Sequence, residues 1–421
     1  MNLQKIIDKK DWAAQYMIDE ITHICKDFEK RDPGSKGELQ ATEYMAEVLE
    51  KECGCDPELT KIEGFKENPG SFFGWIYFTI TFVLMAIALY FVFPLASVIL
   101  IAFGLFIALM QFGFYKKFVD RCFVEKTGHN ITAVKKPTGE VKRRLVFNGH
   151  TDAAWEWPVN YALGGVGFEG HAIICGIGAV FYIVVSIMYM ARFGLAGMFA
   201  NPDVTLSTAP WFVKAALWGL LFVPFEIGLY FMWNERRIVD GANDNLTGCY
   251  IGIAVLKALY DEGIELENTE LAVVNCGSEE AGLRGSKAWS EAHKGEWQDV
   301  PTFFFSYDTI YDPKYLMVNY RDLNGTVKSD KDASDLFLEA AQAVDVPILK
   351  GWVPPLGGAT DNAAFNQAGF RSTGITGLNH KLESYYHTRK DTYTNMNPEG
   401  LANCFAATVK ALEMFDDGAK Q

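Results

Sequence analysis

The chain has 421 residues, enough for two or three domains, and 49% of them are hydrophobic, which excludes an intrinsically disordered protein. The formal net charge is −14 and no stripe of clustered Lys and Arg residues occurs, so a nucleic-acid partner is not expected. The eight cysteines lie without a redox or zinc-ribbon spacing, a pattern that predicts free thiols in a reducing compartment.

The first part of the chain predicts two amphipathic helices. Apolar positions recur at helical spacing over residues 12–30 and 38–52, and residues 34–37 form a glycine-containing turn between them. The first thirty residues are polar and charged and contain no apolar core of the kind found in signal peptides. We therefore expect no cleavable signal peptide.

Residues 68–115 contain no charged side chain and predict a first membrane hairpin. Pro94 divides them into two apolar runs, residues 72–93 and 95–115. A helix needs about 20 residues to cross a bilayer, so each run is long enough to span it. The alternative is a pair of buried core helices in a soluble protein.

Two further apolar runs, residues 172–191 and 211–233, predict a second membrane hairpin. The first of them is uncharged, whereas the second contains Lys214 near one end and Glu226 inside. A carboxylate within the membrane is costly, so Glu226 is a functional candidate; the alternative is a protonated or inward-facing side chain that pairs with a neighbouring helix. Pro224 is expected to kink this span.

Basic residues predict the orientation of the four spans. Those that flank the spans on the side of the hydrophilic segments are Lys61, Lys66, Lys116, Lys117, Arg121, Arg236 and Arg237. The short outer connections carry little beyond Arg192. By the positive-inside rule, we expect a multi-pass protein of the cell membrane whose hydrophilic part faces the cytoplasm.

The two hairpins, residues 71–115 and 172–233, are predicted to be insertions into one hydrophilic domain made of residues 1–70, 116–171 and 234–421. Strand patterns occur at residues 130–134, 144–148, 271–275 and 372–376, and helix patterns at residues 246–260, 333–343 and 398–415. Strands separated by helices indicate an α/β fold with a mostly parallel central sheet flanked by helices.

A series of histidine and acidic residues follows strand-like or turn-like segments of this domain. In chain order they are His150, Asp152, Asp244, Glu279, Glu280, Asp308 and His387. Apolar runs at residues 145–147, 271–274 and 303–305 precede three of these positions. Because open α/β sheets bind ligands beyond the carboxyl ends of their strands, we expect these side chains to converge on one site.

These residue types suit a metal-dependent hydrolase. Imidazole and carboxylate are ligands that zinc accepts, and two divalent ions about 3.5–4 Å apart can activate water and stabilise a tetrahedral oxyanion. His150 can bind one ion while Asp152 accepts its other ring N–H. Asp244 precedes an apolar helix, so its carboxylate can bridge two ions. Adjacent Glu279 and Glu280 cannot point the same way, so one can bind metal while the other acts as general base.

The motifs around these residues resemble the co-catalytic dizinc aminopeptidase family, which includes bacterial leucine aminopeptidases, glutamate carboxypeptidase, glutaminyl cyclases and the inactive transferrin receptor. The matching segments are RDPGS at 31–35, GHTD at 149–152, GANDNLTG at 241–248, GSEEAGLRGS at 277–286, Asp308, and YHT at 386–388 followed by Asp391. The resemblance covers the three hydrophilic segments and none of the membrane spans.

The resemblance implies a zinc exopeptidase-like fold, two zinc ions per chain and a role for each residue of the series. The implied roles are Asp244 as the bridge between both ions, His150 and Asp308 as ligands of one, Glu280 and His387 as ligands of the other, Glu279 as general base and Asp152 as the residue that orients His150. Residues 358–362 resemble the family's loop before the last ligand, but Asn362 stands where a His is common. The role of Asp361 is therefore left open.

The sequence thus predicts a membrane-embedded dizinc exopeptidase, with a peptide substrate and the lipid bilayer as partners. The leading expectation is an aminopeptidase for small peptides. A glutaminyl-cyclase-like acyltransferase, which typically uses one zinc, is an alternative, and so is an inactive membrane receptor or scaffold, in which ligands would be lost; here none is lost. Amino- against carboxypeptidase action, and association between copies through the membrane helices, are left open.

Overall fold

The computed structural model of the chain describes residues 2–200, 205, 207–379 and 383–420. It divides into two compact units. The sheet unit comprises Met1–Pro69, Val124–Glu156 and Glu235–Gln421, and the helical unit comprises Gly70–Phe123 and Trp157–Asn234.

The strands all belong, apart from one terminal residue, to the sheet unit. They are β1 (Lys61–Glu67), β2 (Lys126–Lys135), β3 (Arg143–Asn148), β4 (Trp155–Glu156), β5 (Asn234–Ile238), β6 (Thr269–Asn275), β7 (Thr302–Ile310), β8 (Met317–Asn319), β9 (Arg321–Asp322), β10 (Val327–Lys328), β11 (Leu349–Gly351) and β12 (Ser372–Gly377). Eight of them form one sheet in the order β1-β2-β6-β3-β7-β12-β8-β11.

The centre of this sheet is parallel and its edges are partly antiparallel. The β6–β3, β3–β7, β7–β12 and β8–β11 pairings are parallel. The β1–β2, β2–β6 and β12–β8 pairings are antiparallel. The predicted α/β fold is confirmed, with the parallel strands concentrated in the middle, where buried strands are covered on both faces.

Helices cover both faces of the sheet. The α-helices of the whole chain are α1 (Gln4–Ile7), α2 (Lys10–Asp27), α3 (Lys36–Glu52), α4 (Ser71–Tyr90), α5 (Pro94–Ala108), α6 (Pro158–Phe193), α7 (Trp211–Gly219), α8 (Val223–Gly228), α9 (Thr247–Asp261), α10 (Arg284–Ala292), α11 (Lys331–Ala343), α12 (Asp361–Ala368) and α13 (Pro398–Asp416). Buried residues of α2, α3, α9, α11 and α13 share one hydrophobic core, and residues of α10 and α12 contribute to the core on the other face.

The alternation of side chains along the central strands supplies both cores. In β7, Phe303 and Phe305 belong to the larger core, whereas Phe304 belongs to the smaller one. The same alternation occurs in β3, where Val146 faces away from Leu145 and Phe147. Because successive side chains of a strand point to opposite faces, a continuous apolar run is what a strand covered on both sides requires.

Each insertion between the segments of the sheet unit is bracketed by paired strands. Glu67 at the end of β1 lies directly opposite Lys126 at the start of β2. The second insertion is flanked by β4 and β5, which pair in a two-stranded sheet. Both insertions therefore leave from, and return to, neighbouring strands.

Among its described residues, the helical unit contains four helices that are long and apolar enough to cross a membrane. They are Ser71–Tyr90, Pro94–Gly113, Pro158–Met198 and Trp211–Phe231, with mean hydropathy between 1.6 and 2.4. The four apolar runs predicted from the sequence are therefore confirmed as helices of spanning length. The second of them ends in a π-helical turn at Leu109–Gly113.

The third of these helices begins earlier than the sequence indicated. Residues 116–171 were assigned to the hydrophilic domain, but residues 116–123 and 157–171 belong to the helical unit. The reason is that α6 starts at Pro158, where its first turns contain polar residues and Glu169, so a search for uncharged runs detects only its later part. Gly164, with φ 67° and ψ 179°, interrupts its helical backbone.

Glu226 is buried within the helical unit. Only 2% of the surface of Glu226 is exposed. The residue lies on α8, and a short 3₁₀ turn stands on each side of this helix. Pro224 stands in the first turn of α8, so the predicted break near this proline is present. Gly178 of α6 faces the carboxylate, and a Cβ at that position would lie 3.1 Å from Oε1 of Glu226.

Candidate active site

The acidic and histidine residues of the predicted site converge at one edge of the sheet. β6, β3 and β7 are neighbouring parallel strands, so their carboxyl ends meet there. His150 lies two residues beyond β3, and Glu279 and Glu280 lie in the turn after β6, while Asp308 is within β7. All seven predicted residues are buried, with at most 8% of their surface exposed.

Two groups of possible metal ligands share Asp244. One group contains His150, Asp244 and Asp308, and the other contains Asp244, Glu280 and His387; within each group the ligand atoms lie within 4.8 Å of one another. Every residue predicted to be a metal ligand is therefore in one of these groups. The shared residue is the one that the sequence predicted to bridge two ions.

The distances between the ligand atoms fit zinc. Nε2 of His387 lies 3.0 Å from Oδ2 of Asp244 and 3.0 Å from Oε1 of Glu280. On the other side of Asp244, Oδ1 lies 3.2 Å from Nε2 of His150. Ligand atoms on a tetrahedral zinc with bonds of about 2.0–2.1 Å are separated by roughly 3.3 Å, so both sets are close to the spacing that the ion requires.

Asp244 owes its position to a turn before α9. Residues Ala242–Leu246 form a π-helical turn in which Asp244 and Asn245 depart from helical backbone angles, and the peptide bond between them is cis. Thr247 Oγ1 donates to the carbonyl of Asn243 at 2.6 Å. The turn thus places the Asp244 carboxylate ahead of the helix, where both of its oxygens face histidine rings.

Asp152 contacts both the histidine and the glutamate turn. Its Oδ1 lies 3.3 Å from Nδ1 of His150. The same carboxylate accepts the backbone N–H of Glu279 at 2.9 Å and of Glu280 at 3.0 Å. One buried carboxylate therefore lies beside the ring of one possible ligand and binds the backbone of another.

Glu279 belongs to a third group of possible metal ligands, together with His150 and Glu280. Its Oε2 lies 3.9 Å from Nε2 of His150. Burial raises the pKa of Glu279 well above its usual value; the nearby His150 lowers it, and the charges of Asp308, Glu280 and Asp361 raise it. A carboxylate whose pKa is raised toward neutrality is suited to take up a proton and release it again.

Asp391 and Arg31 hold the loops that carry the possible metal ligands. The sequence did not predict these contacts. Asp391 accepts the backbone N–H of Asn243 at 2.8 Å and of Asp244 at 3.1 Å. Arg31, only 3% exposed, donates to the carbonyl of Thr151 at 2.8 Å and to that of Gly241 at 2.9 Å. Both residues belong to motifs that drew attention in the sequence, but only the folded chain reveals what they bind.

Tyr386 and Asp361 also approach the site. The ring of Tyr386 stacks on His387 with a centroid distance of 4.0 Å. Burial raises the pKa of Tyr386, and the charges of Asp244, Glu280 and other site carboxylates raise it further, so its hydroxyl stays protonated. Asp361 lies 3.5 Å from Nδ2 of Asn148 and is in neither of the groups that share Asp244.

Comparison with known proteins supports the resemblance noted in the sequence. Residues 230–412 match peptidase family M28. This match includes Asp244, Glu279, Glu280, Asp308 and His387 and begins after His150 and Asp152. A search of curated proteins finds no match.

Solved structures with a similar fold include aminopeptidases, one of them described as a zinc aminopeptidase, and glutaminyl cyclases. The aminopeptidase from Aneurinibacillus sp. strain AM-1 has a TM-score of 0.55 and 13% identity, covering 97% of this chain and 95% of its own. BSAP, a zinc aminopeptidase from Bacillus subtilis, has a TM-score of 0.54 and 13% identity over 96% and 94%. The glutaminyl cyclase from Porphyromonas gingivalis has a TM-score of 0.51 and 11% identity over 97% and 98%. The predicted family resemblance is confirmed, and at these identities the structures establish the fold alone.

Proposed function

We propose that this chain, in which a peptidase family M28 domain is combined with four apolar helices of membrane-spanning length, is a membrane-embedded dizinc aminopeptidase for small peptides. The observation that carries the proposal is the pair of ligand groups that share Asp244. Their histidine and carboxylate donors suit zinc, and their spacing suits tetrahedral ligation. Both ions would be held by this chain's own side chains, Asp244 bridging them.

The residues around the ligands can divide the chemistry of peptide hydrolysis. Bound zinc would supply Lewis-acid activation of water and of the scissile carbonyl. Glu279 takes the proton from the attacking water and delivers it to the leaving amine. Asp152 keeps the ring of His150 in one tautomer and orientation. Tyr386, whose ring stacks on that of His387 and whose hydroxyl stays protonated, would donate a hydrogen bond to the developing oxyanion.

Aminopeptidase action is proposed from the similarity of the fold. Two of the solved structures with a similar fold are aminopeptidases, and one of these is a zinc enzyme. The carboxylates of Asp308 and Glu280 would be offset by two bound zinc ions, so their charge does not select between the two ends of a peptide. The structural similarity therefore carries the choice of aminopeptidase over carboxypeptidase action.

We expect the purified, zinc-loaded protein to release the first residue of a short peptide with free ends. N-acetylation of the same peptide should abolish cleavage because it removes the ammonium charge, whereas C-terminal amidation should have little effect. Liquid chromatography with mass detection measures both products. The Glu279→Gln protein, prepared identically, controls for contaminating peptidases.

Other outcomes of this peptide series discriminate among the alternatives. Cleavage that survives acetylation but is lost on amidation would indicate a carboxypeptidase. The fold similarity to glutaminyl cyclases makes cyclisation of an N-terminal Gln peptide, with loss of ammonia and no hydrolysis, the second candidate activity. Failure of every peptide to react with the zinc-loaded protein would favour an inactive receptor or scaffold.

The orientation in the membrane is proposed from the basic residues around the spans. Cys122 is exposed and lies after the first hairpin next to Arg121, on the side proposed to be cytoplasmic. Ser207 is exposed in the connection between α6 and α7 and is proposed to be extracytoplasmic. We expect a membrane-impermeant maleimide to label Cys122 only after permeabilisation of cells. Ser207→Cys in a Cys122→Ser background should be labelled in intact cells.

Cys122→Ser alone is the matched control, because six of the other cysteines are buried and Cys25 is partly buried. Its signal in permeabilised cells gives the background. Labelling of Cys122 in intact cells, together with protection of the cysteine at position 207, would reverse the proposed orientation.

A further inference from the structure

A serine hydroxyl next to the proposed general base lies between two buried glutamates. Oγ of Ser278 is 2.8 Å from Oε2 of Glu38 and 2.5 Å from Oε1 of Glu67. Exposure is 0% for Glu38 and Ser278 and 2% for Glu67. The two glutamates come from α3 and from the end of β1, so three distant segments of the sheet unit meet at this hydroxyl.

This geometry requires a proton on one of the two carboxyl groups. A serine hydroxyl carries one hydrogen and can donate to only one acceptor at a time. If Ser278 donates to Glu38, the 2.5 Å contact with Glu67 is a hydrogen bond only when Glu67 is the donor. With both carboxyl groups ionised, two buried anions would compete for a single hydrogen.

The hydrogen-bond donors around the two carboxyl groups indicate that the proton is on Glu67 and that Glu38 is ionised. Glu38 accepts the backbone N–H of Gly34 at 3.0 Å and of His129 at 2.9 Å, in addition to the hydroxyl of Ser278, and such donors stabilise a carboxylate. Oε2 of Glu67 is buried and accepts no hydrogen bond from the described residues, as suits the carbonyl oxygen of a neutral acid. The ring Nδ1 of His129 lies 3.9 Å from Glu38, and burial lowers the pKa of this ring.

Burial and nearby charges shift the pKa values of Glu38 and Glu67. Burial raises the pKa of Glu67 to about 7 and that of Glu38 well above its usual value, so the pair keeps a proton near neutral pH. The charge of Asp152 raises the pKa of both groups, whereas Arg284 and Lys126 lower that of Glu67. The two carboxyl groups titrate as a pair, and the shared proton is the second of their two protons to be lost as the pH rises.

The serine occupies a strained position at the start of the glutamate turn. Ser278 has φ +56°, in the left-handed region that residues other than glycine rarely adopt. The N–H of the preceding Gly277 donates to Oδ1 of Asn130 at 3.0 Å, and the N–H groups of Glu279 and Glu280 donate to Asp152. The hydrogen bonds of the Ser278 side chain add to these backbone contacts. Together they hold the turn in one conformation.

We propose that Glu38, Ser278 and Glu67 form a positioning triad that holds one proton and thereby fixes the turn carrying Glu279 and Glu280. The consequence for activity rests on the proposed function of those two residues, whereas the shared proton and the fixed turn do not. Loss of the proton places two anions around one hydroxyl and releases Ser278 from its strained conformation. The directions of Glu279 and Glu280 then become less well defined.

The triad predicts opposite responses to the same substitution at its two glutamates. Glu67→Gln replaces a neutral acid by a neutral amide, whose NH2 group can donate to Ser278. Glu38→Gln places an NH2 group against the N–H of Gly34 or of His129, whichever way the amide is turned. We expect Glu38→Gln to lower zinc affinity by about 10–100-fold, as supporting residues of metal sites do, and Glu67→Gln to lower it less than about threefold at pH 6.

Glu58→Gln, at an exposed position shortly before β1, is the matched control for loss of one carboxylate. Zinc affinity is measured by competition with a chromogenic chelator, which does not depend on turnover. Equal losses in both triad variants, or a larger loss in Glu67→Gln than in Glu38→Gln, would overturn the proton assignment.

The shared proton also predicts a pH dependence of stability that is independent of activity. The pKa of Glu67 is raised in the folded protein, so its stabilising effect is full below the unfolded pKa of about 4.5 and is lost as the pH rises through about 7. Between about pH 5 and about pH 8, the Tm of the metal-free wild type should fall by at least about 2 °C more than that of Glu67→Gln. Parallel Tm curves for the two proteins would show that no proton is held at Glu67.

Ser278→Gly separates the hydroxyl from the backbone strain. Glycine adopts φ +56° without cost, so the turn conformation itself is not opposed, but the bridge between the two carboxyl groups is removed. Zinc affinity should fall by about 10–100-fold, as in Glu38→Gln. Wild-type zinc affinity in Ser278→Gly would mean that the hydroxyl positions nothing. If zinc affinity and Tm follow the predictions while no peptide is turned over, the triad stands and the proposed activity fails.

Discussion

Glu279→Gln is expected to lower kcat by about 10²–10⁴-fold while the zinc content of the purified protein stays unchanged. The amide keeps the shape of the side chain but cannot accept a proton. Glu279 lies in a possible ligand group with His150 and Glu280, but the two groups that share Asp244 are complete without it. Steady-state kinetics on the peptide with free ends, with zinc measured by mass spectrometry on the same sample, tests both parts.

Glu280→Gln provides the contrast because Oε1 of Glu280 lies 3.0 Å from the ring of His387 in the second ligand group. This variant should lose zinc as well as activity. Glu58→Gln, at an exposed position, should change neither. If zinc is lost from the Glu279 variant and retained in the Glu280 variant, the proposed roles of the two residues are exchanged.

Asp244→Asn is expected to reduce the zinc content from two ions to one or none and to lower kcat/KM by at least about 100-fold. The two oxygens of Asp244 face different histidines, and an asparagine retains only one oxygen that can bind a metal. Zinc titration monitored by calorimetry measures the number of ions bound. Asp19→Asn, on the exposed surface of α2, is the matched control.

Retention of two tightly bound ions by Asp244→Asn would show that this residue does not bridge them. A wild-type protein that binds a single zinc and never a second during titration would instead move the proposal toward the glutaminyl-cyclase chemistry. The two results are distinguishable because the first concerns the variant and the second concerns the wild type.

The sequence predicted those parts of the fold whose signals are local. Continuous apolar runs predicted the buried central strands, and each run was followed by the acidic or histidine residue that the structure brings to the sheet edge. The strands β8 and β11 were not predicted, because three residues are too few for an alternation to be visible. The start of α6 at Pro158 was missed because Glu169 lies within its early turns.

The support of the site could not be predicted, because it depends on residues far apart in the chain. Asp391 binds the backbone at Asp244 across 147 positions, and Glu67 meets Ser278 across 211. Nothing in the spacing of such residues indicates that they touch. Their partners are backbone groups or a serine hydroxyl, which leave no distinctive pattern in a sequence.

The pairing of Glu67 with Lys126 has a consequence for protein engineering. Directly opposed residues of an antiparallel pair have Cα atoms only about 4.5–5.5 Å apart, a gap that a two-residue β-turn can close. The first apolar hairpin therefore occupies the place of a tight turn, and the second likewise lies between the paired strands β4 and β5. Replacing each by an Asn-Gly turn is the natural route to a detergent-free catalytic domain for crystallisation and inhibitor screening.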